Sequence, residues 1–477
     1  MNLPESFLAD IRKELGDKEA GMLCSALVAG SAPVSIRLNS GKGARLSVEV
    51  APVPWCGAGY YLTSRPAFTF DPLFHAGMYY VQEASSMFLN KVLARYVSSP
   101  VRMLDLCAAP GGKSTLALQA LPEESLLVSN EYDKLRSRIL AENITKWGCA
   151  NVMVTNNAPS DFSGLHHYFD VVLADVPCSG EGMFRKDPQA VEEWSGKNVA
   201  MCVARQRGIV EDCWECLKPG GLFIYSTCTY NIHENEENVH WIAEHMGAES
   251  LTVETEASWG IEGNKAGLPE SVCHFFPHRT KGEGFFIAVL RKAGGDQGVP
   301  YGSKPLKKGG KQKGRLSKGK NKAGFSLSGE MSGWLDVPGN FAFKEVDDSI
   351  VAVPKGYADD FMWLDTQLYV LQQGITLAVR KGKKWAPAHP LAMSSCLDLQ
   401  AFPHFEAPLP VAWAYLRGEA FALPSDVPVG FVLVTYKGHP LGFVKNIGTR
   451  CNNLYPQNWK IRTGHFPDPL EELSLVQ

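Results

Sequence analysis

The chain has 477 residues, of which 45% are hydrophobic and 20% charged, and its formal net charge is −3 at pH 7. This length is too great for a single hydrophobic core, so we expect several globular domains. The start, MNLPESFLADIRKELGD, lacks the apolar segment of a signal peptide, and no run approaches the ~18 apolar residues of a membrane helix, which predicts a cytoplasmic protein without membrane contact.

The 12 cysteines are scattered along the chain, which excludes a small disulfide-framed domain. Cys213 and Cys216 form a C-x-x-C within a helical pattern, and no second ligand pair lies nearby. A zinc site needs about four such ligands. We therefore expect these cysteines to be core or helix-surface residues, and we expect no metal site.

Residues 1–98 contain a helical pattern and the strand-like segments SIRLNS and GARLSVEV, which predict a small α+β domain. From residue 99 to 293 the pattern changes. Apolar runs (MLDLC, LLVSNEY, NVMVTNN, DVVLADV and LFIYSTC) alternate with helical segments. This alternation predicts an α/β domain with a parallel sheet, whose ligands bind at the carboxyl ends of the strands.

A basic, glycine-rich run from Lys304 to Lys322 contains no acidic residue. It predicts a flexible linker over 294–330, and a phosphate-binding role for its lysines stays open. A small α+β domain is expected over 331–400, and a β-rich region with short strands such as GFVLVTYKGHPLGFVKN over 401–477.

The segment DLCAAPGGKST follows one strand and opens a helix. It is not a phosphate-binding P-loop, because Cys107 replaces the first glycine and Pro110 removes an amide. Gly111 and Gly112 still allow a ligand to approach the backbone. Glu131 ends the next strand, where an acidic residue can bind ribose hydroxyls, although a helix-capping role is an alternative.

Three further side chains end neighbouring strands: Asp175 and Cys178 in ADVPCSGEG, and Cys228 in YSTCTY. A single cysteine is more often a buried structural thiol, but two at strand ends favour function. Carbon 5 of cytosine accepts a methyl group only after a thiolate has added to carbon 6, and an acid can hold the ring at N3 and N4. The residues alone do not decide which thiol attacks.

These motifs, in this order, resemble the RNA cytosine-5 methyltransferases of the NOL/NOP/Sun family over about residues 76–292. DVPCSGEGMFRKD and the C-terminal PLGFVKN and NNLYPQNW most resemble the bacterial 16S ribosomal RNA methyltransferase F subgroup. The resemblance implies a Rossmann-like methyltransferase core and a PUA-like RNA-binding domain over 401–477. It also implies an RNA-binding role for the N-terminal domain.

The resemblance further implies S-adenosylmethionine as the cofactor. Its binding residues would be Cys107, Ala108, Ala109, Pro110, Gly111, Gly112, Lys113, Glu131, Arg136 and Asp175. Asp175 would also contact the cytosine, Cys228 would be the nucleophile, and Cys178 would help to release the product. Some relatives carry an aspartate near the adenine where this chain has Asn156 and Asn157, and Asp161 lies further along.

The expected activity is methylation of cytosine carbon 5 in 16S ribosomal RNA by a monomer bound to ribosomal RNA or the small subunit. A tRNA methyltransferase and a non-catalytic assembly factor remain alternatives. Arg185 and Lys186 follow Cys178 and could bind phosphate or only face solvent. His233 and His240 are interpreted as solvated helix residues, and Tyr79 and Tyr80 as core residues rather than base-stacking platforms.

Overall fold

The computed structural model describes residues 3–29, 31–47, 50–294, 327–463 and 475–476. The basic run from Lys304 to Lys322 lies outside these residues. Within the described part of the chain, no helix has the length and apolar character needed to span a membrane.

The N-terminal region combines two helices with a small antiparallel sheet. Its elements are α1 (Glu5–Leu15), α2 (Asp17–Ala29), β1 (Val34–Leu38), β2 (Arg45–Leu46), β3 (Pro52–Val53), β4 (Cys56–Leu62), α3 (Pro72–His75), β5 (Tyr79–Val81) and α4 (Leu89–Tyr96). The sheet has the order β3-β4-β1-β5. SIRLNS is a strand as predicted, whereas Arg45–Leu46 is the only strand among the described residues of the predicted strand GARLSVEV.

The central region is an α/β layer, as predicted. Its elements are β6 (Arg102–Asp105), α5 (Gly112–Ala120), β7 (Leu126–Asn130), α6 (Lys134–Trp147), β8 (Val152–Thr155), β9 (Phe169–Asp175), α7 (Pro188–Glu193), α8 (Gly196–Trp214), β10 (Leu217–Thr227), α9 (Glu236–Met246), β11 (Ala248–Leu251), β12 (Cys273–Phe275) and β13 (Phe285–Lys292). Strands β10, β9, β6, β7 and β8 are neighbours and parallel, and β13 pairs antiparallel with β10. All five predicted strands are present.

The C-terminal region contains α10 (Gly329–Ser332), β14 (Phe341–Val346), β15 (Ser349–Pro354), α11 (Ala358–Gln367), β16 (Val370–Gln373), β17 (Ile375–Lys381), β18 (Lys384–Pro387), α12 (His389–Met393), β19 (His404–Glu406), α13 (Leu409–Leu416), β20 (Gly430–Tyr436), β21 (His439–Asn446), β22 (Cys451–Asn453) and β23 (Leu475–Val476). Two four-stranded sheets have the orders β14-β15-β17-β18 and β19-β20-β21-β22. The short β23 pairs with β2.

One C-terminal strand belongs to the central sheet. Strand β16 pairs antiparallel with β8, with Val370 opposite Thr155 and Gln373 opposite Met153. The region predicted as a separate small domain therefore completes the edge of the α/β layer. The predicted domain boundaries themselves stay a prediction.

Apolar residues cover both faces of the central sheet. Helix α6 packs on one face through Leu140 and Ile144, and α8 and α11 pack on the other through Val210 and Phe361. Cys213 and Cys216 are fully buried in this second layer. In the described part of the chain, no group of three or more His, Cys, Asp and Glu side chains is arranged to hold a metal ion.

Arg37 fastens the N-terminal region to α5. Its buried guanidinium donates to Oγ1 of Thr115 at 2.6 Å and to Oε1 of Gln82 at 2.8 Å, and it lies over the Trp147 ring. Because charged hydrogen bonds are directional and strong, this contact fixes the position of β5 and the residues after it above the amino end of α5.

Candidate active site

The loop between β6 and α5 ends at a residue whose backbone conformation only glycine adopts easily. Gly111, at its end, has φ = 114°, in the left-handed region. Three backbone carbonyl oxygens of this loop accept hydrogen bonds from side chains. The donors are Asn130 to Leu106 at 3.0 Å, Arg136 to Ala109 at 2.8 Å and Asn143 to Pro110 at 2.8 Å. The loop is therefore fixed before any ligand binds.

Glu131 follows β7 and is 5% exposed. Its Oε1 accepts a hydrogen bond from the backbone N–H of Asp133 at 2.9 Å. Its Oε2 is buried, accepts no hydrogen bond and lies 3.5 Å from Nη1 of Arg136. Asp133, rather than Glu131, caps α6, since it accepts from the N–H groups of Leu135 and Arg136. An oxygen of Glu131 thus remains available to a hydroxyl donor.

Asp175 ends β9 and has a partner at each carboxylate oxygen. Nζ of Lys113 lies 2.8 Å from Oδ2, and Oγ of Ser226 donates to Oδ1 at 2.7 Å. Burial alone would lower the pKa of Lys113, but the neighbouring Asp175 carboxylate raises that pKa above its ordinary value. The resemblance assigned Lys113 to the cofactor, and the structure pairs it with Asp175.

The two strand-end cysteines face each other, with 3.3 Å between Sγ of Cys178 and Sγ of Cys228. The hydrogen bond with Cys228, together with burial, raises the pKa of Cys178 well above its ordinary value. The N–H of Gly182 donates to the carbonyl of Cys228 at 2.7 Å. A Cβ on Gly182 would lie 2.3 Å from that carbonyl oxygen, so the approach of the two loops requires glycine.

Several of these groups, though not Glu131, Arg136 or Cys178, line one cleft of about 340 Å³. Its walls include Lys113, Asp175, Cys228 and the predicted loop, with Cys107, Ala108, Ala109, Pro110 and Gly112 as the loop members. The N-terminal region supplies a further wall through Tyr80, Val81, Gln82, Glu83 and Ser86. The arrangement combines a thiol, a carboxylate with an ammonium beside it, and an open cleft.

Three family models match the chain. The model of 16S rRNA methyltransferase RsmB/F matches residues 97–291, that of the N-terminal domain of 16S rRNA methyltransferase RsmF matches residues 3–84, and that of the methyltransferase RsmF PUA domain matches residues 402–461. Ribosomal RNA small subunit methyltransferase F of Enterobacter sp. (strain 638) is 31% identical over 481 residues, which cover 95% of each chain. The protein of that description from Pectobacterium atrosepticum is 31% identical, covering 86% of this chain and 84% of its own.

The chain belongs to the 16S rRNA methyltransferase RsmB/F family. The family predicted from the sequence is thereby confirmed, and so is the enzyme class of rRNA methyltransferase.

Solved structures share the fold. The methyltransferase homolog protein from Pyrococcus horikoshii has a TM-score of 0.51 and 27% identity, covering 61% of this chain and 95% of its own. NSun6 from Pyrococcus horikoshii, solved with SFG, has a TM-score of 0.51 and 20% identity, covering 61% of this chain and 99% of its own. The Rossmann-like methyltransferase core and the PUA-like region that we predicted are confirmed.

Sequence reasoning missed two buried carboxylates that join the cysteine loops in this member of the RsmB/F family. Glu181 is fully buried and accepts five hydrogen bonds. The donors are Oγ1 of Thr229, the N–H groups of Tyr230 and Asn231, Nδ2 of Asn231 and Nε1 of Trp194. Glu234 accepts from the N–H of Ser179 at 3.0 Å and from Gln206 at 2.7 Å. Their positions inside the motifs GEG and HENEEN were the available signal.

The two residues that could bind phosphate, Arg185 and Lys186, differ in their exposure to solvent. The Arg185 side chain is 5% exposed, and its guanidinium donates to Glu283 at 2.9 Å and to the carbonyl of Gly282. Lys186 is 37% exposed, lines the cleft and remains accessible to phosphate. Tyr79 is a core residue as predicted, but Tyr80 lines the cleft.

The two histidines predicted to be solvated each pair with an acidic side chain. His233 lies 2.9 Å from Glu237, and His240 lies 2.9 Å from Glu270, whose hydrogen bond raises the pKa of His240. Neither histidine lines the cleft that holds Cys228.

Asn156 and Asn157 use their side-chain amides to bind backbone groups. Asn156 donates to the carbonyls of Glu131 and Tyr132, and Asn157 donates to the carbonyl of Tyr369. Asp161 accepts from the N–H of Ala158 within its own turn.

Proposed function

We propose that this protein uses S-adenosylmethionine to methylate carbon 5 of a cytosine in 16S rRNA through a covalent cysteine adduct. The observation that carries the proposal is the thiol pair Cys178 and Cys228, 3.3 Å apart, because Cys228 lines the same cleft as Asp175 and Lys113. A thiol nucleophile beside a carboxylate is the combination that cytosine methylation requires.

The residues present fit the cofactor. The loop Cys107–Gly112 would hold it together with Glu131, whose buried Oε2 lacks a hydrogen-bond donor, and Arg136, which fixes both. Asp175 lies where cofactor and cytosine meet. When bound, S-adenosylmethionine supplies an electrophilic methyl group to carbon 5. The related NSun6 was solved with SFG, which supports a ligand site in this fold.

Cys228 would be the nucleophile, and it adds to the ring once its thiol proton has passed to solvent. Its Sγ forms a bond to carbon 6 of the cytosine, and the electron pair of the C5–C6 double bond moves into the ring, where carbon 5 becomes nucleophilic. Asp175 accepts a hydrogen bond from the N4 amino group. The adjacent ammonium of Lys113 stabilises the negative charge that develops on the ring.

Cys178 acts at the end of the reaction. Once carbon 5 is methylated, a water molecule takes its proton, the C–H electron pair restores the C5–C6 double bond, and the Sγ–C6 bond breaks to return Cys228 as a thiolate. Because the pKa of Cys178 is raised, its thiol keeps its proton and can donate a hydrogen bond to the departing Sγ of Cys228. The choice of Cys228 over Cys178 as the attacking thiolate follows the family resemblance.

The RNA would be held on both sides of the cleft. The match of residues 402–461 to a PUA domain supports an RNA-binding surface in the C-terminal region, and Lys186 provides a cation at the cleft itself. The target base must leave its stack to reach Cys228. We propose that the protein acts in the cytoplasm as a monomer on rRNA or the small subunit.

The test compares Cys228→Ala and Cys178→Ala proteins with labelled S-adenosylmethionine and small-subunit rRNA. We expect Cys178→Ala to accumulate a denaturant-stable protein–RNA adduct and Cys228→Ala to form none. The reverse pattern would contradict the assigned roles. If the unaltered protein methylates tRNA but neither rRNA nor subunits, the substrate is wrong, and if it methylates no RNA at all, the protein is a binding factor.

A further inference from the structure

Two tyrosine backbones meet at Asn156, after the end of β8. The N–H of Asn156 donates to the carbonyl of Tyr369 at 3.1 Å, and its Nδ2 donates to the carbonyl of Tyr132 at 2.8 Å and to that of Glu131 at 2.7 Å. One residue thus joins the C-terminal region to the segment that carries the open carboxylate of Glu131.

Tyr369 is fixed by a second asparagine. Oδ1 of Asn157 accepts from the N–H of Tyr369 at 2.9 Å, and its Nδ2 donates to the carbonyl of Tyr369 at 3.1 Å. The Tyr369 backbone is held at both polar groups, yet its side chain is 58% exposed. Tyr132 is 71% exposed. Rigid backbones with exposed aromatic rings are suited to receiving a flat ligand.

Both tyrosines lie next to elements that contact or begin α6. Tyr369 directly precedes β16, whose first residue, Val370, lies opposite Thr155 at the end of β8. Oγ1 of Thr145, in α6, donates to Gln372 of the same strand at 2.9 Å. Tyr132 immediately precedes the capping residue of α6.

We propose that Tyr369 forms one wall of the adenine subsite, with Tyr132 as the other, so that the C-terminal region contributes directly to cofactor binding. This rests on the proposed use of S-adenosylmethionine. The open oxygen of Glu131 binds the ribose, and the base attached to that ribose then lies beside Tyr132. Aromatic faces stack with a purine without requiring polar contacts.

The test is isothermal titration of the full chain with S-adenosylhomocysteine. We expect Tyr369→Ala to weaken binding about tenfold and Tyr369→Phe, which keeps the ring, to change it less than about twofold. Leu371→Ala is the matched control, since Leu371 lies in β16, which begins one residue after Tyr369, and is 37% exposed. It should leave the Kd unchanged.

The outcomes separate the two proposals. If the unaltered protein does not bind S-adenosylhomocysteine, the proposed cofactor is wrong, and this inference fails with it. If the unaltered protein binds and Tyr369→Ala binds equally well, only this inference is overturned. It is also overturned if Tyr369→Ala weakens rRNA binding in a filter assay without cofactor while its Kd for S-adenosylhomocysteine stays unchanged, because Tyr369 would then stack on an RNA base.

Discussion

Two parts of the proposed site differ in how completely their polar groups are partnered. On the proposed cytosine side, formed by Lys113, Asp175, Cys178 and Cys228, both carboxylate oxygens and both thiols have partners within the protein. On the proposed adenosine side, formed by the loop after β6, Glu131 and Tyr132, Oε2 of Glu131 accepts no hydrogen bond and Tyr132 is exposed.

This difference follows from what each side has to do. Groups that react must be in position before the transition state forms, so the protein fixes them internally. Groups that only bind a ligand contribute most to affinity when the ligand itself supplies their hydrogen-bond partners. A buried polar atom without a partner costs free energy until the ligand binds. The adenosine side is therefore the part of the site that a ligand should stabilise.

The largest expected effect tests the scaffold of the cytosine side. Glu181→Ala removes the acceptor of five buried hydrogen-bond donors. We expect it to lower the free energy of unfolding by about 3–5 kcal/mol and to abolish adduct formation. Thermal unfolding and the RNA adduct assay measure the two effects. The exposed neighbour Glu192→Ala is the control. A Glu181→Ala protein that melts normally and forms the adduct would show that the cysteine loops need no internal support.

The variant Lys113→Met tests whether Lys113 acts on the proposed cytosine side or on the proposed adenosine side. If it stabilises charge on the cytosine, kcat should fall roughly 100-fold while the Kd for S-adenosylhomocysteine changes less than about threefold. Steady-state kinetics and titration measure both quantities, and the exposed Lys134→Met serves as control. A large rise in Kd with little change in kcat would move Lys113 to the adenosine side, as the family resemblance first suggested.

Glu131→Gln tests the open carboxylate. It keeps the side-chain length but removes the charge that strengthens a hydrogen bond to the ribose, so the Kd for S-adenosylhomocysteine should rise about 10-fold to 30-fold. Glu123→Gln, at an exposed position, should have no effect. An unchanged Kd for Glu131→Gln would mean that the open oxygen does not face the cofactor.

The smallest expected effect concerns Asp105, buried beneath the loop with Oδ1 unpartnered. Burial raises its pKa to about 7. The folded protein thus holds this proton up to about pH 7, whereas the unfolded chain releases it near pH ~4, so stability should fall as the pH rises between these values. Asp105→Asn, which stays neutral, should be more stable than the unaltered protein at pH 8, because it does not lose this stability as the pH rises.

Urea unfolding at pH 4.5 and pH 8 measures this difference. The advantage of Asp105→Asn should be smaller at the lower pH, and an equal advantage at both values would contradict the raised pKa of Asp105.

The sequence predicted most of the site because its residues lie in contiguous motifs at strand ends. Asp175, Cys178 and Cys228 meet where the alternation of strands and helices placed them. The contributions of Tyr80 and Tyr369 could not be predicted, because they depend on how separate regions dock on the central sheet. The burial of Arg185 could not be predicted for a related reason. It depends on an ion pair with Glu283, which is distant in the sequence.

Strand β16 also has a consequence for how the protein is made. The edge of β8 is covered by residues 370–373, which leave the ribosome long after residues 152–155. At about 5–20 residues per second, the central sheet would wait on the order of 10–40 s with an unpaired edge, the feature that promotes association between nascent chains. The asparagines after β8 would remain without their tyrosine for the same interval, so a complete adenosine pocket would be among the last parts of the protein to form.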